Sequence, residues 1–268
     1  MAKAKIITED MTQCNPQILH ILEGTHTLIA GTTGSGKSVM LNTIIYNIIR
    51  SGRGLMYLID LKRVELAIYK REAVGLYTEP EEVVPALASI VSLMEDRYRR
   101  MERKGLLLTD EQPIYVIIDE LADLVSIKGV MPLLVKLGRL GRAAKIHTVC
   151  ATQDPSRKTL AAAYMQNVTT AIALRCRSDI ESRQIIGVSG AECLPKYGKG
   201  IMWDADGIRQ IDIPLTPRED IVNYLEWSKF GTFLKYAIKN IGKKWADVKY
   251  PPVDPKYLER INSGLAKW

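Results

Sequence analysis

The densest chemistry in this sequence lies in eight residues, Gly31-Thr32-Thr33-Gly34-Ser35-Gly36-Lys37-Ser38. The spacing G-x-x-x-x-G-K-[ST] is that of a phosphate-cradling loop. Its context fits, because the apolar run HTLIA precedes it and the helical stretch VMLNTIIYNII follows it. The glycines let the backbone wrap closely, so that N–H groups and the start of the helix face phosphate oxygens. Lys37 is expected to reach the β- and γ-phosphates, and the Ser38 hydroxyl to ligate Mg2+. ATP and Mg2+ are therefore the expected ligands.

A second cluster follows the apolar run Ile114–Ile118, which is closed by Asp119 and Glu120. A carboxylate at such a strand end can hold Mg2+ beside the phosphate loop. Neighbouring residues there point in different directions, so Asp119 serves the metal while Glu120 orients and polarises the attacking water. That pair favours hydrolysis over transfer to a metabolite. Asp123 reads as a charge at a helix N-terminus. A third run, HTVCATQ, ends in Thr152-Gln153, and Gln153 is the expected sensor of the γ-phosphate. Lys136, Arg139 and Arg142 recur at every third position, opposite an apolar face of Leu133, Leu137 and Leu140. Two readings stand for these cations: all three are solvated, or one crosses a subunit interface to a neighbour's γ-phosphate.

The elements that must position these groups are legible as short apolar runs alternating with helical patterns. Candidate strands are 27–31, 55–60, 114–120, 147–153 and 170–176, most of them apolar on both faces, as a doubly covered parallel sheet requires. The clearest helix is 81–103, where Val84, Leu87, Val91, Met94, Tyr98 and Met101 form one stripe. The charged segment EDRYRRMERK reads as its solvated outer face rather than a DNA-binding surface. Residues 200–212 read as a hairpin closing one edge of the sheet. The fold class is thus α/β, a mainly parallel sheet flanked by helices, with an edge hairpin and a small helical extension. Residues 1–24 are expected as a lead-in, 25–216 as the motor domain, and 217–268 as a basic, aromatic-containing extension of short helices around PPVDP.

The blocks HTLIAGTTGSGKSVMLNTII, YLIDLKRVELAIY, LMEDRYRRMERKG, YVIIDELADLV and GRAAKIHTVCATQDPS, taken in order, resemble the motor domain of the FtsK/SpoIIIE family of DNA translocases. The later TAIALRCRSDIESRQIIGVSGAECL resembles the family's segment after the sensor strand, so the resemblance spans about residues 25 to 204. It implies a RecA-like ATPase that forms a hexameric ring around double-stranded DNA and pulls it by hydrolysing ATP. It also places the family's trans-acting arginine on Arg142. A second trans cation of the family falls on Asp179 here, which leaves Arg175, Arg177 or Arg183 to supply the charge. Asp154 stands where the family often has Arg, and the stretch before the Asp-Glu strand is shorter than in cell-division members. Two other functions are weighed against this one. One is a related motor for protein secretion or viral genome packaging; the other is a nucleotide-gated DNA-binding module with incidental turnover.

Composition bounds the remaining choices. The chain has 268 residues, is 47% hydrophobic and 25% charged, and carries a net charge of +7. These proportions exclude a disordered or fibrous chain, and the charge leans modestly toward an anionic partner. No run suits a membrane span, membrane anchor or signal peptide, so a cytoplasmic location is expected. Cys14, Cys150, Cys176 and Cys193 form no C-x-x-C and read as reduced, buried thiols.

Overall fold

The computed structural model describes residues 16–52, 54–156, 158–159 and 161–226. The chain divides into two compact units, residues 1–217 and 218–268. In the second, residues 218–226 are helical, and the remainder of the expected extension lies outside the described residues.

The short apolar runs become strands because helices cover both sheet faces and no position needs a polar side. β1 (His26–Ala30), β4 (Ile114–Ile118) and β6 (Thr170–Ala173) are buried at every residue, and β5 (Ile146–Thr152) at all but one. With β2 (Leu55–Ile59), the short β3 (Gly75–Tyr77) and the hairpin β7 (Lys199–Asp204) and β8 (Gly207–Asp212), they make an eight-stranded sheet. Its order is β3-β2-β4-β5-β1-β6-β7-β8. All pairs are parallel except β6–β7 and β7–β8, so the hairpin closes one edge.

Three helices matter most for the site. α2 (Lys37–Ser51) leaves the phosphate loop and ends at left-handed Gly52. α3 (Pro80–Lys104) starts with a reciprocal Glu79/Glu82 capping box and Pro80 in its first turn, and stops at left-handed Gly105. Its buried stripe includes Leu87, Val91, Met94 and Met101, whereas Val84 and Tyr98 are only half-buried. One member of the charged face is also inside. Arg97 is 4% exposed and donates through Nη1 to Ala144 O (2.6 Å) and through Nη2 to Gln112 O (2.8 Å). A guanidinium tolerates that position because backbone carbonyls meet its donors. On the outer side Arg100 pairs with Glu111 at 2.7 Å and Lys104 with Asp110 at 2.8 Å, as a solvated face would.

α5 (Val130–Leu140) buries Val130, Leu134 and Leu137, while Leu140 is exposed. Its seam is therefore rotated from the expected Leu133/Leu137/Leu140 face, following the i, i+4, i+7 stripe that docks on the sheet. Within the expected lead-in, α1 (Pro16–Glu23) is fastened to the hairpin. His20 Nε2 lies 3.0 Å from Asp204 Oδ2, and Gln17 Nε2 donates to Asp212 O at 3.0 Å. Arg209 grips both Asp204 oxygens at 2.7 and 2.8 Å, so the nearly buried carboxylate of the hairpin is held by Arg209 from its own hairpin and by His20 from α1. Cys150 and Cys176 are buried free thiols. Cys193 is free but exposed, contrary to expectation, because it ends the surface turn Ala191–Cys193; Cys14 lies outside the described residues. Among the described residues no helix is long and apolar enough to cross a membrane.

Candidate functional site

The phosphate loop runs from the end of β1 to the start of α2. Gly34 (φ 72°) and Gly36 (φ 103°) take left-handed backbone that turns successive N–H groups to one side, the geometry of an anion nest. Gly31 is required for a different reason: a Cβ there would lie 2.8 Å from Ser35 Oγ and 2.9 Å from Leu174 Cβ. The carbonyl of Arg175, just past β6, accepts from Thr32 N (2.9 Å) and Thr32 Oγ1 (3.1 Å) and so fastens the loop to the neighbouring strand. Lys37 Nζ donates to Gly31 O and Thr32 O, both at 2.7 Å. Burial pulls its ammonium down to about 8, although Glu120 and Asp119 oppose the shift. It remains a cation at pH 7, held by carbonyls that phosphate oxygens can replace.

Sheet order brings the other groups to this loop. β5 lies between β1 and β4, with Ala30 level with Thr152 and Ile118 level with Cys150. Continued two residues, that register sets Glu120 alongside Thr152. Asp119 is half-buried, and burial, then Asp60, pushes its carboxyl up to about 6. Glu120 caps the one-turn α4 (Leu121–Leu124) and is buried, with Oε1 accepting from Thr152 Oγ1 (2.7 Å) and Gln153 N (3.1 Å). Gln153 turns the other way, and its Oε1 accepts from Thr33 Oγ1 of the phosphate loop at 2.6 Å. A single peptide therefore joins the side chain that touches Glu120 to the one that touches the loop.

Two further residues were not singled out by sequence reasoning. Lys62 Nζ lies 3.4 Å from Glu120 Oε2 and 3.5 Å from Asp123 Oδ2. Asp60, 1% exposed at the end of β2, accepts from Glu65 N (3.1 Å) and Leu66 N (3.0 Å) through Oδ2, while Oδ1 is buried without a partner. The signal that could have found them is the polar Asp closing the apolar run YLI, the same strand-end pattern that marks Asp119. A carboxylate raised toward 6 beside an unsatisfied buried oxygen is an environment short of positive charge, and it fits a divalent cation.

The remaining candidates sit elsewhere. Arg142 is exposed in the turn before β5, at the opposite end of that strand from Gln153. Seven strand residues separate the two ends, roughly 20 Å at about 3.3 Å per residue. Lys136 pairs with Glu95 at 2.6 Å, whereas no ion pair of Arg139 or Arg142 is found among the described residues. Asp179 opens α7 (Asp179–Ile186) and pairs with Arg183 at 3.2 Å; Arg175 and Arg177 are exposed. Asp154 holds the turn after β5, accepting from Ser156 N (3.0 Å) and Thr159 Oγ1 (2.9 Å).

A phosphate loop and a paired-carboxylate strand, separated by the strand that ends beside Gln153 in a mainly parallel sheet, define the P-loop ATPase fold. The FtsK/SpoIIIE family profile matches residues 5–110. The DNA translocase FtsK of Staphylococcus aureus is 33% identical over 82% of this chain and 32% of its own length. That of Chlorobaculum tepidum is 37% identical over 66% of this chain and 25% of its own. Among solved structures, the pCW3 conjugation coupling protein TcpA, a monomer form with ATPγS, has the same fold. Its TM-score is 0.72 at 23% identity, covering 78% of this chain and 66% of that one. This chain belongs to the FtsK/SpoIIIE family. It spans about a third of the length of the S. aureus translocase it matches.

Proposed function

We propose that this chain is an ATP-hydrolysing motor that moves along double-stranded DNA as a ring of copies, six by family resemblance. Residues 25–216 are its motor portion and 217–268 an extension. The observation that carries this reading is the placement of β5 between β1 and β4, which gathers the phosphate loop, Asp119, Glu120 and Gln153 at the carboxyl ends of three adjacent central strands. Gly31 to Ser38 cradle the phosphates of ATP, and Lys37 exchanges Gly31 O and Thr32 O for phosphate oxygens. Ser38 and Asp119 would hold Mg2+, which neutralises charge on the phosphates when bound. Glu120 orients and polarises the attacking water, and Gln153 reports on the phosphate loop through Thr33. Arg142 is exposed at the far end of β5, about 20 Å from its own phosphate loop by strand length, and so serves a neighbour's site.

A motor indifferent to sequence grips phosphates rather than base edges, so binding should weaken steeply with salt. The direct test is the ATPase rate with and without duplex DNA, alongside Glu120→Gln. DNA is expected to stimulate turnover, and Glu120→Gln to keep ATP binding while slowing hydrolysis by about 10² to 10⁴. Stimulation by a protein substrate in place of DNA, or near-normal turnover in Glu120→Gln, would overturn this assignment.

A further inference from the structure

The carboxylate that must polarise water is engaged on both oxygens. Glu120 Oε1 accepts from Thr152 Oγ1 (2.7 Å), Gln153 N (3.1 Å) and Ala122 N (3.4 Å). Oε2 accepts from Lys62 Nζ (3.4 Å) and shares the Gln153 amide at 3.3 Å. The side chain is only 6% exposed. In this state four donors already hold the carboxylate and little of it faces solvent, so the arrangement is a resting one.

Its donors differ in what they can do. The two amides belong to fixed backbone, and Thr152 is the last residue of a buried strand. Lys62 has a flexible side chain, 44% exposed, with a second carboxylate already within reach at Asp123 Oδ2 (3.5 Å). The loop that presents it is tied at one side by Asp60 Oδ2 to Glu65 N and Leu66 N. Next to Lys62, Arg63 holds a left-handed backbone (φ 58°), costly for a residue with a Cβ, and pairs with Glu79 at the start of α3. A clamped, strained loop carrying one mobile cation onto a buried carboxylate is a device for holding that carboxylate.

We propose that Lys62 is a positioning residue: it keeps Glu120 in the resting arrangement with Thr152 and Gln153, and hydrolysis requires Lys62 to pass to Asp123 so that Glu120 can turn to water. This rests on the assignment of Glu120 made above. A purely neutralising role for Lys62 predicts the opposite sign, because removing it would then disorder a catalytic carboxylate and lower turnover.

The test is steady-state ATPase of the full chain with Mg2+ and no DNA. Lys62→Met should raise kcat about fivefold, the rate equivalent of a half-buried ion pair, with KM for ATP unchanged. Lys62→Arg, which keeps a cation in place, should return kcat to the parent value, and Asp123→Asn, which removes the waiting partner, should lower it. Should Lys62→Met not fold, Thr152→Val removes the shortest bond that holds Glu120, the one to Oε1, and must raise kcat in the same sense. An unchanged or lowered kcat in folded Lys62→Met, or in Thr152→Val where that variant carries the test, overturns the proposal. Glu120→Gln measured in parallel separates the two levels. If it loses turnover while binding an ATP analogue, the assignment of Glu120 stands whatever Lys62 does; if it turns over normally, both fall.

Discussion

The two ends of the central strands solve the same problem in opposite ways. Toward the starts of β1 and β5, Thr148 Oγ1 lies 2.9 Å from His26 Nδ1 and 3.3 Å from Tyr164 Oη, which in turn donates to Cys150 Sγ at 2.9 Å. His147 stacks on Tyr115 with centroids 5.2 Å apart. Burial takes His26 down to about 4, lowers His147, pushes Cys150 up to about 12 and raises Tyr164 well above its ordinary value. His26, His147, Cys150 and Tyr164 are all neutral at pH 7, and hydrogen bonds meet most of their buried polar atoms, with His26 Nε2 left without a partner among the described residues. The buried cation nearby, Arg97, spends its donors on the carbonyls of Ala144 and Gln112. At the other end Lys37, Asp60, Asp119 and Glu120 crowd together buried or half-buried, with Asp60 Oδ1 unsatisfied and Lys37 and Asp119 displaced from their ordinary values by burial. The difference is diagnostic. Burial that is answered by neutral hydrogen bonds builds stability; burial that strands charges marks where a ligand completes the structure.

The largest expected effect tests whether the ends of different copies must meet. Arg142 lies at the quiet end and its proposed target at the charged end, so Arg142→Ala should cost about 10³ to 10⁵ in hydrolysis. Mixing Arg142→Ala with Glu120→Gln should restore part of the rate, because some interfaces then pair an intact Glu120 with an intact Arg142. No recovery in verified mixed rings would confine Arg142 to its own subunit or to a structural role.

A smaller effect separates the ends by pH. His26 binds its proton near 6.5 when unfolded and near 4 when folded, so it lends stability that is lost as pH falls from about 6.5 to 4, about 3 kcal/mol in all. Asp119 acts in the reverse sense: its folded value is raised to about 6, so its contribution falls as pH rises from about 4 to 6. Solvent reaches Asp119, so roughly 1–2 kcal/mol is expected there. Denaturant melts across pH 4–7 should therefore show His26→Asn losing stability relative to the parent as pH rises, while Asp119→Asn gains it relative to the parent. Parallel slopes in the two variants would remove the contrast. The smallest effect is expected from Tyr164→Phe, which deletes the hydroxyl between Thr148 and Cys150. It should lower unfolding free energy by about 1 kcal/mol and leave the ATPase rate untouched; a tenfold loss of rate would show that the two ends are not separate.

What was legible in the sequence was local. The strands β1, β2, β4, β5 and β6 are visible as apolar runs because both their faces are covered, and Gly31–Ser38 because the loop's chemistry is contiguous. β3 is three residues long and α1 eight, and both are held by partners distant in sequence: Gly75 pairs beside Tyr57, and His20 meets Asp204. Arg97 was hidden inside a charge run, since only the turn bearing Ala144 shows which cation points inward. Lys62 escaped for a related reason. Its contact with Glu120 exists only because β2 and β4 are neighbours, with Ile59 level with Ile118, and no spacing within one segment records that.

The rims of the sheet carry a consequence for how copies meet. Among the described residues it ends on one side at β3, three residues long, and on the other at β8, whose Arg209, Gln210 and Asp212 project charge and polarity along the rim. Arg209 is bound back to Asp204 and Asp212 is paired with Lys199, so the rim is decorated on both sides of the hairpin. Strands cut short or fringed with charge are poor templates for another chain's backbone. Copies of this chain that met at either rim would thereby be kept from fusing through continuous β-ladders. Any contact between such copies would then fall to side chains, which can let go and re-engage.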